Sequence, residues 1–407
     1  MLISQIQKAP STSYDYMERL VNDGSPSGFT QVHNTSKGTN PLYCEEFTVK
    51  KLYLAKKGQI ITRGKCGIND IVSLDEQFIY IHPDLLNLYK NPTYSNILSF
   101  CNIEDGLTVI PTSSSRTVRV KGTNRFLKLH YPGVIGRLQR DLGELHLSFA
   151  VEITKVLNEA KQNGNMPYFF DFMPEYYGRV GKTNNFEIGF LCREMPLYND
   201  SKCYIPAFSL FSSDHQNPND DMLLVQLLQN HSDSPLSFLL NDICFPLIDS
   251  FFYCVFDLGL IPEMHSQNVV FLFNNEWRTK KVLLRDFESM DVDFSIREGL
   301  GLKDIEPCPN NKKLRVEKEY YLKRHSFMFD HKLCEYLIDP LVKCAASTGI
   351  KEDIIIKFIK RYCIDKYGKQ FRGFFPKDNR WYKYPNEEID RSTSLRPYIS
   401  MGLAKYR

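Results

Sequence analysis

The feature that most constrains this chain is a pair of polar strand ends near its middle. The stretch Leu258-Gly-Leu-Ile-Pro-Glu-Met-His-Ser-Gln-Asn-Val-Val-Phe-Leu-Phe273 and the run Val282-Leu-Leu-Arg-Asp-Phe-Glu288 are apolar and rich in β-formers, and they flank the polar turn Asn274-Asn-Glu-Trp-Arg-Thr-Lys-Lys281. That pattern predicts a β-hairpin. His265, Gln267 and Asn268 stand at the mouth of its first strand, and Asp286 at the end of its second. An Asn and an Asp on adjacent strand ends can place two oxygens on one hard cation such as Mg²⁺, which takes one or two protein carboxylates and fills its shell with phosphate oxygens. An ordinary amphipathic hairpin with a satisfied His fits the same residues, so the decision rests on what else the chain carries.

At 407 residues the chain exceeds one typical domain, and two or three packed subdomains are expected. A net charge of +3 is too near neutral to name a nucleic-acid or membrane partner. The 11 cysteines are odd in number, scattered and without a Cys-x-x-Cys pair, which predicts reduced thiols in a cytoplasmic protein and argues against a zinc site. The first residues are too polar for a signal peptide. The most apolar run, Phe245 to Ile261, is interrupted by Asp249 and Asp257 and reads as a buried helix rather than a membrane span.

Along the chain, residues 1–45 are rich in Ser, Thr, Asn and Gly, predicting an irregular segment with one short helix over Tyr14–Asn22. Residues 46–162 read as a β-rich subdomain, with strands over Phe47–Leu54, Gln77–Ile81, Leu107–Ile110, Thr117–Val120 and Phe126–His130. A helical region split at Gly143, into Gly133–Leu142 and Glu144–Gln162, closes it. Residues 163–300 predict an α/β subdomain with strands at Phe186–Leu191 and Ala207–Phe211, helices at Met222–Asn230 and Leu236–Leu258, and then the hairpin. Charged helical stretches at Lys312–His325 and Lys351–Lys366, and a basic, aromatic tail over Phe371–Tyr384, make 301–407 a helical basic subdomain. The fold class predicted is α+β, with mixed and antiparallel sheets and helices.

Upstream of the hairpin, Pro111-Thr-Ser-Ser-Ser-Arg-Thr117 joins two strands and concentrates hydroxyls and a guanidinium on one turn. Such groups suit phosphate oxygens, Arg because its planar fork bonds two at once. In the next strand, period-two alternation puts Lys128 and His130 on the face of Phe126, opposite Leu127 and Leu129. A Lys in an apolar strand is costly to bury unpaired, and an anionic ligand would satisfy it. Arg140, twelve residues on, is expected on the following helix. Arg116, Lys128 and Arg140 can then converge on one polyphosphate, unless they are surface charges paired locally with Asp141 or Glu144.

These elements, in this order, resemble the siderophore synthetases that work independently of non-ribosomal peptide synthetases, the aerobactin-synthetase-like family. The matching residues are Ser114-Ser-Arg116-Thr117, Lys128-Leu129 with Arg140, Arg193-Glu194, Glu263-Met-His265-Ser-Gln267-Asn268 and Arg285-Asp286-Phe287. The resemblance covers roughly residues 75–290. It implies that Ser114, Arg116, Thr117 and Lys128 hold ATP phosphates, that Arg140 and His265 lie near the α-phosphate, and that Gln267 belongs to the nucleotide site. Glu263, Asn268 and Asp286 would serve Mg²⁺ or the nucleotide, and Arg140, His265 and Lys128 the catalysis. It also implies a fingers–palm–thumb-like arrangement with a kinase-reminiscent nucleotide hairpin, and a homodimer. Two segments depart from the family. His82-Pro83 is followed by Asp84-Leu85 where the family carries Trp-Gln, and Gly24-Ser-Pro26 stands for a Gly-His-Pro element. The N-terminal region is also shorter than the family's.

The implied function is an ATP-dependent ligase that adenylates a small, citrate-like carboxylic acid and condenses it with an amine, polyamine or alcohol, releasing AMP and pyrophosphate. Two other classes compete. A small-molecule kinase is suggested by His-x-x-Asn before a strand ending Asp-Phe-Glu, but kinases place an Asp between that His and Asn, and here Ser266 and Gln267 stand there. A non-catalytic nucleotide-binding descendant is suggested by the altered N-terminal elements.

Overall fold

Phe126 and Leu127, neighbours on one strand, enter two different hydrophobic cores. The chain folds so that a large sheet lies between those cores. The computed structural model describes residues 1–23, 36–54, 59–66, 71, 77–87, 101–135, 138–183, 186–197, 203–314, 318–384 and 398–407.

In chain order the strands are β1 (Phe47–Tyr53), β2 (Gln59–Gly64), β3 (Ile79–Ile81), β4 (Asn102–Pro111), β5 (Thr117–Val120), β6 (Arg125–Leu129), β7 (Tyr131–Ile135) and β8 (Leu138–Arg140). They continue as β9 (Phe170–Phe172), β10 (Glu175–Thr183), β11 (Phe186–Glu194), β12 (Cys203–Pro206), β13 (Leu260–Ile261), β14 (Val269–Phe273), β15 (Thr279–Leu284), β16 (Asp291–Asp293), β17 (Lys313–Leu314), β18 (Arg380–Lys383) and β19 (Ile399–Leu403). Eight of them form one sheet in the order β2-β10-β11-β6-β5-β4-β1-β3, with every pairing antiparallel. A second sheet runs β12-β14-β15-β9, with β9 and β15 parallel. The architecture is α+β with mixed and antiparallel sheets, as the sequence predicts.

Alternation decides what faces what. Leu127 and Leu129 join Val49, Val118 and Phe190 in the core on one face of the large sheet. Phe126 points the other way and packs with Val270, Leu272 and Leu283 of the β14–β15 hairpin. The opposite set on that hairpin, Val269, Phe271, Phe273, Val282 and Leu284, enters the main core. The hairpin is therefore buried on both faces and held against β6. A helix over Glu144–Gln162 lies across the large sheet, where a Cβ on Gly178 would meet Leu147 Cδ1 at 2.5 Å, so the glycine permits the close approach.

The helical run Pro235–Leu258 has the length and apolarity of a membrane span, with a mean hydropathy of 1.5, but 78% of its apolar window is buried inside the protein. Phe251 and Phe252 pack there on Phe329, Phe371 and Phe374 from the C-terminal helices. All 11 cysteines are free thiols.

Several expectations are corrected. The segment expected as the helix Gly133–Leu142 is instead the hairpin β7–β8, and Arg140 ends a strand rather than riding a helix. Pro132, Gly133 and Gly136 disfavour a helix there, and pairing of Tyr131 with Arg140 prevails over the apolar spacing. The N-terminal segment, expected to be mostly loop, begins with two helices, Ile3–Lys8 and Pro10–Leu20. Burial of Ile6, Tyr14, Met17 and Leu20 overrides the Ser- and Thr-rich composition. Ala207–Leu210 is a short 3₁₀ turn after β12 rather than a strand. The helix expected from Lys312 begins at Lys318, and Lys313–Leu314 pairs with β16. Gly24 to Pro26 lie outside the described residues.

Candidate functional site

Because Phe126 packs on the hairpin, Lys128, two residues along the same face of β6, is directed at the end of β15. There it forms an ion pair with Asp286. The two halves of the predicted site thus meet in one small, open cavity. Its wall comprises the turn after β4 (Thr112, Ser114, Arg116), Thr117 and Lys128, then Arg140 and Arg193. The hairpin adds Gln267, Asn268, Arg285 and Asp286.

The turn is held from within and from below. Thr117 N–H donates to Ser114 Oγ at 2.9 Å, and Thr112 Oγ donates to the Thr117 carbonyl at 2.6 Å. Glu18, buried on the second N-terminal helix, accepts from both the N–H and the Oγ of Ser113, at 3.2 and 2.8 Å. The same carboxylate pairs with Arg285, which donates to Tyr14 Oη at 2.9 Å and to the Gln267 carbonyl at 2.6 Å. One carboxylate therefore ties the Ser-rich turn to the hairpin. Ser115 (φ 59°) and Asp286 (φ 78°) both adopt the left-handed region without being glycine. Strain of this kind persists only where surrounding contacts over-determine it, and it gathers at functional sites.

The cations are engaged by carboxylates. Lys128, 2% exposed, reaches Glu288 Oε1 at 2.9 Å as well as Asp286. Arg116 Nη2 donates to the same Glu288 oxygen at 2.6 Å, and its Nη1 to the Arg140 carbonyl at 3.1 Å. Arg193 is fixed by Glu175 and approaches Asp286 at 3.5 Å. The alternative of local surface pairing does not describe Arg116 and Lys128, whose carboxylate partners are Glu288 and Asp286.

Electrostatics follow from this packing. Burial alone would raise the Asp286 carboxyl, but Lys128, Arg193 and Arg116 outweigh it and hold the group well below the usual carboxylate range. Against the same effect of burial, Lys128 and Arg116 bring Glu288 down to about 2. Arg140 is lowered by burial and by Arg116, with Asp286, Glu288 and Glu263 acting against that shift. His265 is brought down to about 4, chiefly by burial, and is neutral at pH 7.

Two predicted residues stand beside the cavity rather than on its wall. Glu263 pairs with Lys332 at 2.6 Å, and His265 Nδ1 accepts from the Gln267 N–H at 3.3 Å. Asn268 Nδ2 donates to the Glu263 carbonyl at 3.0 Å, which leaves its Oδ1 for another partner. Sequence reasoning did not single out Glu288, Glu18 or Glu175. Glu288 was legible two residues beyond Asp286, whereas Glu18 lies 267 positions from Arg285 and carries no local signal.

Among the described residues no group of three or more His, Cys, Asp or Glu is placed to hold a metal ion. Asp286 and Asn268 nonetheless present hard oxygen donors to one cavity, which fits Mg²⁺, an ion that needs few protein ligands when phosphate oxygens complete its shell.

No protein-family model matches the sequence, and no curated protein matches it. Solved structures do match. The aerobactin synthetase IucA from a hypervirulent pathotype of Klebsiella pneumoniae, in its ATP-bound form, superposes with a TM-score of 0.71 at 13% identity, over 99% of this chain and 80% of that one. The chain has the fold of the aerobactin synthetases. The petrobactin biosynthesis protein AsbB from Bacillus anthracis str. Sterne gives a TM-score of 0.68 at 15% identity, over 94% and 74% of the two chains. The aerobactin synthetase IucC from the Klebsiella pathotype gives 0.64 at 14%, over 89% and 71%. At such identity the likeness is one of fold, and in this chain the polar cavity stands where the large sheet meets the hairpin.

Proposed function

We propose that this chain is an ATP-dependent ligase of the siderophore-synthetase type, which activates a small, citrate-like carboxylic acid as an acyl-adenylate and passes the acyl group to an amine, polyamine or alcohol. The observation that carries the reading is the meeting of Arg116, Lys128, Arg140 and Arg193 with Asn268 and Asp286 around one cavity, within a synthetase fold.

In this reading a substrate carboxylate oxygen bonds to the α-phosphorus of ATP and the bond to pyrophosphate breaks. The acceptor then attacks the acyl carbon, loses a proton and expels AMP. Arg116, Lys128 and the hydroxyls of Ser114 and Thr117 bind phosphate oxygens, and Arg140 stabilises charge growing at the α-phosphorus. Neutral His265 can donate a hydrogen bond to that charge. Gln267 fixes the Ser-rich turn, since its Nε2 donates to Ser113 Oγ at 3.3 Å. Mg²⁺ held by Asp286 and Asn268 would neutralise phosphate charge. Preorganised donors and cations of this kind supply most of the acceleration in such transfers, so no covalent protein nucleophile is required. Glu263 fits better as the anchor of Lys332 and Asn268 than as a metal ligand, given where its carboxylate is spent.

The test is product analysis over a panel of small carboxylic acids, with and without amines. AMP and pyrophosphate formed in an acid-dependent manner support the ligase. ADP would replace it with the kinase, and nucleotide binding without turnover by any acid would leave a non-catalytic binder.

A further inference from the structure

Glu288 has one carboxylate oxygen committed to two cavity cations and the other committed to nothing. Its Oε1 accepts from Arg116 Nη2 at 2.6 Å and lies 2.9 Å from Lys128 Nζ. Its Oε2 is buried with no hydrogen-bond partner. A buried carboxylate oxygen without a donor is costly, so the arrangement is held by the two cations rather than by a satisfied network. Lys128 and Arg116 are the groups that the ligase reading directs at phosphate. In the ligand-free protein Asp286 and Glu288 offset the charge of Lys128 and Arg116, while Arg140 and Arg193 stand on the same cavity wall.

A metal-free triphosphate entering beside Asp286 and Glu288 meets two like charges, and Glu288 contests Lys128 and Arg116 with it. A divalent cation arriving with the nucleotide removes the conflict. It can take Asp286 and lower the nucleotide's own charge, so that the phosphates can displace Glu288 from Lys128 and Arg116. We infer that Glu288 is a built-in competitor for the phosphate position, a specificity-determining residue that admits the metal-complexed nucleotide and rejects the metal-free one. Glu288 touches neither reacting atom in this role and acts through Lys128 and Arg116. The inference rests on the ligase reading only insofar as the cavity binds nucleoside triphosphate.

The experiment is equilibrium binding of ATP by calorimetry, in Mg²⁺ and in EDTA, to the full chain and to Glu288→Gln and Glu288→Asp. The wild type is expected to bind ATP with Mg²⁺ and about a hundredfold more weakly without it. Glu288→Gln keeps the shape and drops the charge, and should tighten metal-free binding by about tenfold or more while the Mg²⁺ complex changes little. Glu288→Asp keeps the charge and should keep the wild-type ratio. A Glu288 that only supports the fold would weaken both forms together in the Gln variant, and that result overturns the inference. Should the Gln variant not fold, the wild type still decides, because equal affinity with and without Mg²⁺ refutes a built-in competitor. Wild-type protein that binds no ATP in Mg²⁺ would instead remove the functional reading beneath it.

Discussion

Lys128 and Asp286 are 158 positions apart in the chain and form an ion pair at the base of the cavity. Lys128 is 2% exposed, and Asp286 holds a left-handed backbone conformation to reach it. Asp286 is only half-buried, but removing the buried lysine still leaves it and Glu288 short of a cation, whereas replacing both partners is far milder. Lys128→Met is therefore expected to destabilise the protein by about 3 kcal/mol, because two carboxylates lose their shared cation. Denaturant unfolding of this variant and of Lys128→Met with Glu288→Gln checks it, the double variant being expected to recover part of the loss.

Arg140 contributes to the cavity through its side chain and supports Arg116 through its carbonyl. Only the side chain is lost in Arg140→Ala, so the fold should persist. Under the ligase reading, acid-dependent pyrophosphate release should fall by about 10²–10³-fold in kcat/KM, the usual effect of deleting one transition-state donor. Steady-state assays with unchanged thermal unfolding would separate this from a structural effect.

Glu18 makes a testable claim for the N-terminal helix. Its carboxylate holds Arg285, Tyr14 and Ser113 at once, and both it and Arg285 are buried. Glu18→Ala should cost about 3–5 kcal/mol through the stranded guanidinium, and should weaken ATP binding by loosening the Ser-rich turn. Glu18→Gln should do less of both, as its amide oxygen can still accept. Unfolding free energy and ATP affinity measured in parallel decide whether stability and site are linked here.

The pH dependence has a definite sign. Burial drives His82, His130 and His265 from an ordinary 6.5 down to about 4. Above pH 6.5 these rings are neutral in both folded and unfolded chains, and their contribution is fully present. As pH falls from 6.5 towards 4 the unfolded chain takes up protons that the fold refuses, and stability is lost at about 1.4 kcal/mol per unit of pKa difference for each ring. Asp286 and Glu288, both lowered, give way only at still lower pH. Thermal unfolding between pH 8 and 4.5 should show a falling midpoint below 6.5, and a flat profile would contradict the buried neutral histidines.

Much of the site was legible because it is written locally. Period-two alternation in β6 placed Lys128 opposite Leu127 and Leu129, and that division into two cores is what the fold shows. The hairpin was legible from its apolar runs and polar turn, and Asn268 and Asp286 do stand at its open end. Arg140 lines the same cavity as Lys128 and Asp286, but from a different element than expected, since apolar spacing suggested a helix where Pro132, Gly133 and cross-strand pairing make a hairpin. Glu18 was illegible, because a lone Glu in a Ser- and Thr-rich stretch gives no sign of a partner 267 positions away.

The sequence by itself determined which side chains share a face, since strand and turn geometry depend on neighbours a few residues apart. It also determined the chemical character of the cavity, through the concentration of Arg, Lys, hydroxyl and amide groups at strand ends. Only the tertiary structure decided which carboxylate meets which cation. That choice is made by packing the large sheet against the hairpin through Phe126, Val270, Leu272 and Leu283, a contact between segments distant in the chain that no local pattern encodes.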